Sequence, residues 1–125
     1  MIKRIIIFLI LICIFIYSCK NNKKYKVTLI KIMSSSCEEC VTKYKPMIEE
    51  IKKEFSKEPV KFIIYDTSTD EGVKIANQYG ITKLPTFIFL DENGVEYFRM
   101  KDIIIKEAIS AIISTKLKEY KDGKK

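Results

Sequence analysis

Two cysteines, Cys37 and Cys40, stand between a run rich in β-branched residues and a stretch of helical periodicity. "YKVTLIKIM" (25–33) reads as a strand. From Cys37 to about Ser56 the apolar residues Val41, Tyr44, Met47, Ile48, Ile51 and Phe55 recur at helical spacing. A CxxC pair at such a junction has three uses: a metal site, a structural disulfide, or disulfide exchange. The rest of the chain narrows the choice. It has four cysteines and no histidine. A structural zinc site needs about four Cys or His ligands, which this chain is badly placed to supply alone.

The other two cysteines belong to the N-terminus. Lys3 and Arg4 precede thirteen apolar or aromatic residues, Ile5 to Tyr17, followed by Ser18 and Cys19. Thirteen is short of the roughly 20 residues that span a bilayer, but fits the apolar middle of a secretory signal. Ile16, Tyr17, Ser18 and Cys19 resemble a bacterial lipoprotein cleavage box, except that Tyr17 stands where a small residue is preferred. The resemblance implies cleavage before Cys19, a lipid on its sulfur, and a domain held outside the cytoplasm on a bacterial membrane. The plainer alternative is an uncleaved anchor with Cys19 incidental. Residues 1–18 are thus read as a signal peptide and 19–24 as a basic tether. Residues 25–120 form the domain, and 121–125 a flexible tail. Losing Lys3 and Arg4 lowers the net charge from +7 to +5. The basic residues are scattered, so nucleic acid is not an expected partner; a lipid surface or a solvated face is.

Further along, "VKFIIY" (60–65) reads as a second strand, and a short helix runs from about Asp70 to a stop at Gly80. "TFIFL" (86–90) is a third strand; Asn93-Gly94 signals a hairpin to a fourth, "VEYFRM" (95–100). A last helix starts near Asp102, a plausible N-cap, with Ile104, Ile105, Ala108, Ile109, Ile112, Ile113 and Leu117 apolar. The order is β-α-β-α-β-β-α. Strands linked through helices should lie parallel, and helices should cover both faces of a four-stranded mixed sheet. Pro46 should kink the first helix.

A strand, CxxC opening a helix, and a later Leu84-Pro85-Thr86 before an edge hairpin together resemble the thioredoxin family. "NQYGITKLPTFIFLDENGVEYF" (77–98) is similar to the family pattern nearly throughout, and the likeness covers about residues 25–118. It implies an α/β thioredoxin-like fold and a thiol–disulfide oxidoreductase with no cofactor. In that activity Cys37 is the nucleophile and Cys40 the resolving cysteine, the two forming the redox disulfide. The resemblance also implies a cis bond before Pro85, with Leu84, Pro85 and Thr86 binding substrate as an added strand would. Protein disulfides are the implied substrates, and a membrane electron donor would recharge the pair. Copper chaperones also carry CxxC and could hold Cu(I) there, but they end on a strand and lack the Leu84-Pro85-Thr86 feature. An inert scaffold is the third reading.

There are departures. Ser36 replaces the aromatic residue usual before the first cysteine. Lys31 stands six residues before Cys37, where thioredoxins carry a buried Asp that assists proton transfer at the second cysteine. Lys31 is expected to snorkel to the surface; a cation near the pair is the alternative. Pro46 lies six residues past Cys40 rather than five, so either the kink is shifted or the helix holds an extra residue. Glu38 and Glu39 put negative charge beside the Cys37 thiolate and should raise the Cys37 pKa. That favours a reductant, with Lys31, if close, pushing the other way.

Overall fold

The computed structural model describes residues 1–18 and 24–123, the side chains of 13–18 aside. Residues 19–23 of the tether, Cys19 among them, lie outside the described residues. The elements are α1 (Ile2–Ser18), β1 (Val27–Met33), a π-helical turn (Cys40–Tyr44), α2 (Lys45–Glu54), β2 (Val60–Asp66), α3 (Asp70–Gln78), β3 (Thr86–Leu90), β4 (Glu96–Met100) and α4 (Lys106–Asp122).

The four strands form one mixed sheet in the order β2-β1-β3-β4. β1 is parallel to β2 with Val27 opposite Val60, and antiparallel to β3 with Ile32 opposite Thr86. β4 folds back antiparallel on β3. The expectation of parallel pairing through helices therefore holds for β1 and β2 and fails for β3. The chain leaves α3 through the cis Leu84–Pro85 turn and enters the sheet on the free side of β1, running the other way. As an inner strand, β1 is buried on both faces, which is why its apolar residues run almost without alternation.

Each face has its own core. On one, Ile48, Ile51 and Phe55 of the α2 segment and Ile109, Ile113 and Leu117 of α4 pack on Val27, Leu29, Phe87 and Phe89. On the other, Ala76 of α3 packs on Ile30, Ile32, Ile88 and Leu90, with Leu84 and Ile81 at the margin. This is the two-sided arrangement expected of the α/β class. Side chains of Ile2–Ile12 in α1 are exposed and join neither core. No helix among the described residues is long and apolar enough to cross a membrane.

Local chemistry explains the boundaries. Thr69 caps α3, its hydroxyl accepting the Gly72 N–H at 3.0 Å. Gly80 ends that helix at φ 62°, while Gly80 N–H and Ile81 N–H bond Asn77 O and Ala76 O, as in a Schellman motif. Asp91 holds the β3–β4 turn by accepting the Asn93 and Val95 N–H groups, and Gly94 supplies φ 77°. Two expectations need correcting. Asp102 is not an N-cap: α4 starts at Lys106 after Ile105, and Asp102 instead pairs with Lys83 at 3.0 Å. The boundary expected at residue 121 falls inside α4, which continues through Asp122.

Candidate functional site

β1 ends at Met33, and Ser34, Ser35 and Ser36 carry the chain to Cys37. This serine loop is tied down by the end of β2. One Asp66 carboxylate oxygen accepts the Ser35 N–H at 3.1 Å, the Ser68 N–H at 2.9 Å and the Ser68 hydroxyl at 2.7 Å. Those bonds hold the Asp66 carboxyl below the usual carboxylate range, the Ser68 hydroxyl contributing most. Ser35 and Ser68 hydroxyls also meet at 2.9 Å. Sequence reasoning missed Asp66, although its place between a strand and the turn formers of "DTST" was the available signal.

Cys37 N–H bonds Ser34 O, and Cys37 O accepts the Val41 N–H, so Cys37 sits at the entry of the helix. Its sulfur is half-buried and accepts the Cys40 N–H at 3.2 Å. Donors and a helix N-terminus at a sulfur stabilise its anion, and the thiolate is the nucleophilic form. Cys40 is fully buried, and the two sulfurs are joined as a disulfide with Cα atoms 5.2 Å apart. The two cysteines therefore differ in exposure, Cys37 on the outer side of the pair and Cys40 on the inner. Glu38 and Glu39 are both exposed beside the pair.

The helix behind the pair holds the extra residue. Cys40–Tyr44 is wound as a π-helical turn, which takes up one residue more than an α-helical turn before α2 begins with Pro46 in its first turn. This accounts for the six-residue spacing from Cys40 to Pro46.

Leu84–Pro85 is cis. Because Thr86 lies opposite Ile32, Pro85 comes level with the end of β1, the end from which the cysteine loop departs. Thr86 is buried and its hydroxyl donates to Lys83 O. Leu84 is half-buried, and its N–H and C=O take no part in the turn and loop hydrogen bonds of the described residues. An extended segment could use them.

Lys31 does not snorkel. It is 2% exposed, and its ammonium donates to Cys40 O at 3.1 Å. Position 31 shares its face with Val27 and Leu29, so the side chain enters the core beneath the helix that carries the pair. Burial, and then the charge of Lys45, lower its pKa. Among the described residues no cluster of three or more His, Cys, Asp or Glu side chains could hold a metal.

A sequence profile of the family described as Thioredoxin matches residues 17–115. The chain is 33% identical over 75 residues to the chloroplastic M-type thioredoxin of Spinacia oleracea, covering 60% of this chain and 37% of that protein. It therefore spans well under half the length of that relative. Among solved structures, thioredoxin from Fasciola hepatica superposes with a TM-score of 0.55 at 26% identity, over 69% of this chain and 77% of that one. A mutant thioredoxin from Halobacterium salinarum gives 0.64 at 18% identity, over 76% and 78%; at that identity the likeness speaks for the fold alone.

Proposed function

Since the chain belongs to the thioredoxin family, we propose that it is a thiol–disulfide oxidoreductase that reduces disulfides of exported proteins from an anchored position outside the cytoplasm. The observation that carries the reading is the graded exposure of the pair: Cys37 half-buried at a helix entry, Cys40 fully buried behind it.

The exchange runs in two steps. The Cys37 thiolate attacks one sulfur of a substrate disulfide; a Cys37–substrate bond forms and the other substrate sulfur leaves as a thiolate. Cys40, as thiolate, then attacks Cys37 Sγ. The Cys37–Cys40 bond forms, and the second substrate sulfur leaves with its electron pair. The substrate gains two electrons and the protein is left as the disulfide seen here. A membrane electron donor restores the dithiol. The Leu84-Pro85-Thr86 turn holds the substrate segment beside Cys37, the free Leu84 backbone groups serving as the strand edge while buried Thr86 braces the turn through its bond to Lys83 O.

The anchored location rests on the N-terminus. Lys3 and Arg4 stand in the first turn of α1, whose side chains from Ile2 to Ile12 lie in neither core, which suits a segment meant for an export machinery or a lipid phase. Cys19 would then carry the lipid. Glu38 and Glu39 support the reductive direction.

A Cys40→Ser variant tests the chemistry. It should accumulate exported proteins covalently bound through Cys37, released by a thiol reductant and absent when Cys37 is also replaced. No such adducts would refute the exchange. The reduction potential tests direction: a value near or below about −230 mV fits a reductase, while one near about −120 mV reverses it.

A further inference from the structure

Lys31 is the one charged side chain fully buried among the described residues, and the exchange steps above give it no role. Its neighbours across the sheet, Ile64 on β2 and Phe87 on β3, are apolar. From the helix side it meets the Cys40 carbonyl in the π-helical turn, and the charge of Lys45 at the start of α2 repels it. No carboxylate pairs with it among the described residues. A buried cation with only a neutral carbonyl for partner is unfavourable. So is a thiolate at a fully buried Cys40. Each is the counter-charge that the other lacks, and the Lys31 ammonium already reaches the main chain of Cys40, 3.1 Å from its carbonyl oxygen.

We propose that Lys31 is a positioning residue for the closing step, its ammonium holding Cys40 as the thiolate when the mixed disulfide is resolved. The proposal rests on the exchange reading given above. The Cys40 thiol gives its proton to water and its sulfur then attacks Cys37 Sγ. The substrate thiolate leaves with the electron pair of the broken bond and takes a proton from water. Lys31 forms no covalent bond; it lowers the pH at which Cys40 becomes reactive. Cys37, half-buried and already bonded by the Cys40 N–H, does not depend on it.

The test is rapid-mixing kinetics of the reduced protein with dithiobis(nitrobenzoate) across pH. The first coloured thiolate is released by Cys37 attack, the second by Cys40 closing the disulfide. Lys31→Met removes charge and hydrogen bond. Lys31→Gln keeps a donor for the Cys40 carbonyl and removes only the charge. In both variants the first release should stay within about twofold of native, while the pH midpoint of the second should rise by about one unit or more. At pH below that midpoint the second release should slow about tenfold per unit. A lysine that merely packs would lower the melting temperature and leave the midpoint in place, and that result overturns the proposal. So does a Gln variant that behaves as native. If the native protein gives no first release, the exchange reading itself fails, and this inference with it.

Discussion

Gly72 gives a sharp test of how α3 is docked. A Cβ built there would stand 1.8 Å from Asp66 O, 2.3 Å from Asp66 C and 2.9 Å from Thr67 N, all backbone atoms. Carbon contacts are favourable only at about 3.5 Å or beyond, so Gly72→Ala must push the first turn of α3 off the end of β2. Overpacking typically costs about 1–3 kcal/mol. Main chain cannot swing aside as a side chain can, which puts this case at the upper end. Against it, alanine gains about 1 kcal/mol over glycine in a helix interior. The net expectation is a loss of about 2 kcal/mol, lowering the melting temperature of a domain this size by about 10 °C or somewhat more. Thermal unfolding followed by circular dichroism reads it directly. The two contributions have opposite signs, so the result is decisive: an unchanged or raised melting temperature means propensity rules and the close approach is not real. The displaced strand end also bears Asp66, so the variant should slow the first step of exchange through Ser35.

Two further outcomes are expected. Ile113 is fully buried between α4 and the sheet, so Ile113→Ala should cost about 2–5 kcal/mol in urea unfolding, whereas Ile103→Ala, at 74% exposed, should change stability by less than about 0.5 kcal/mol. Asp66 has a depressed pKa in the fold, so its contribution to stability is complete above the unfolded value of about 3.9 and is lost as pH falls through the lower folded value; melting temperature against pH should show an acid-side loss that is absent in Asp66→Asn.

Much of the fold was legible because local chemistry and tertiary need agree. The β-branched strands, the Asn93-Gly94 turn and the Gly80 stop each carry a backbone preference that the structure uses. The cysteine pair and Pro85 were legible for a different reason: their residue types and spacing resemble a known pattern. What was not legible depends on partners far away in the chain. Lys31 reads as surface-seeking by residue type. Its burial follows from β1 lying between β2 and β3 with a helix above, and no window around residue 31 contains that. The one local hint was a lysine at the same parity as Val27 and Leu29 in a strand otherwise apolar but for Thr28. The direction of β3 was missed because helix linkage argues for parallel strands, and the cis turn that reverses the approach carries no periodicity. Asp102 looked like a cap by composition, but its carboxylate is taken by Lys83, nineteen positions earlier.

The inner position of β1 also sets when the protein comes into being. The strand that leads to the cysteines is among the first parts of the domain to be made, yet one of its two neighbours, β3, lies more than fifty residues later in the chain. Closing such distant pairings is slow compared with winding a helix, and domains generally fold as units during synthesis or after delivery. A growing chain that has not yet reached Thr86 has β1 open on one edge and Lys31 without its neighbour Phe87. The pair can be chemically present long before it is a site. Until the last third of the sequence is made, the two cysteines follow a strand with one open edge.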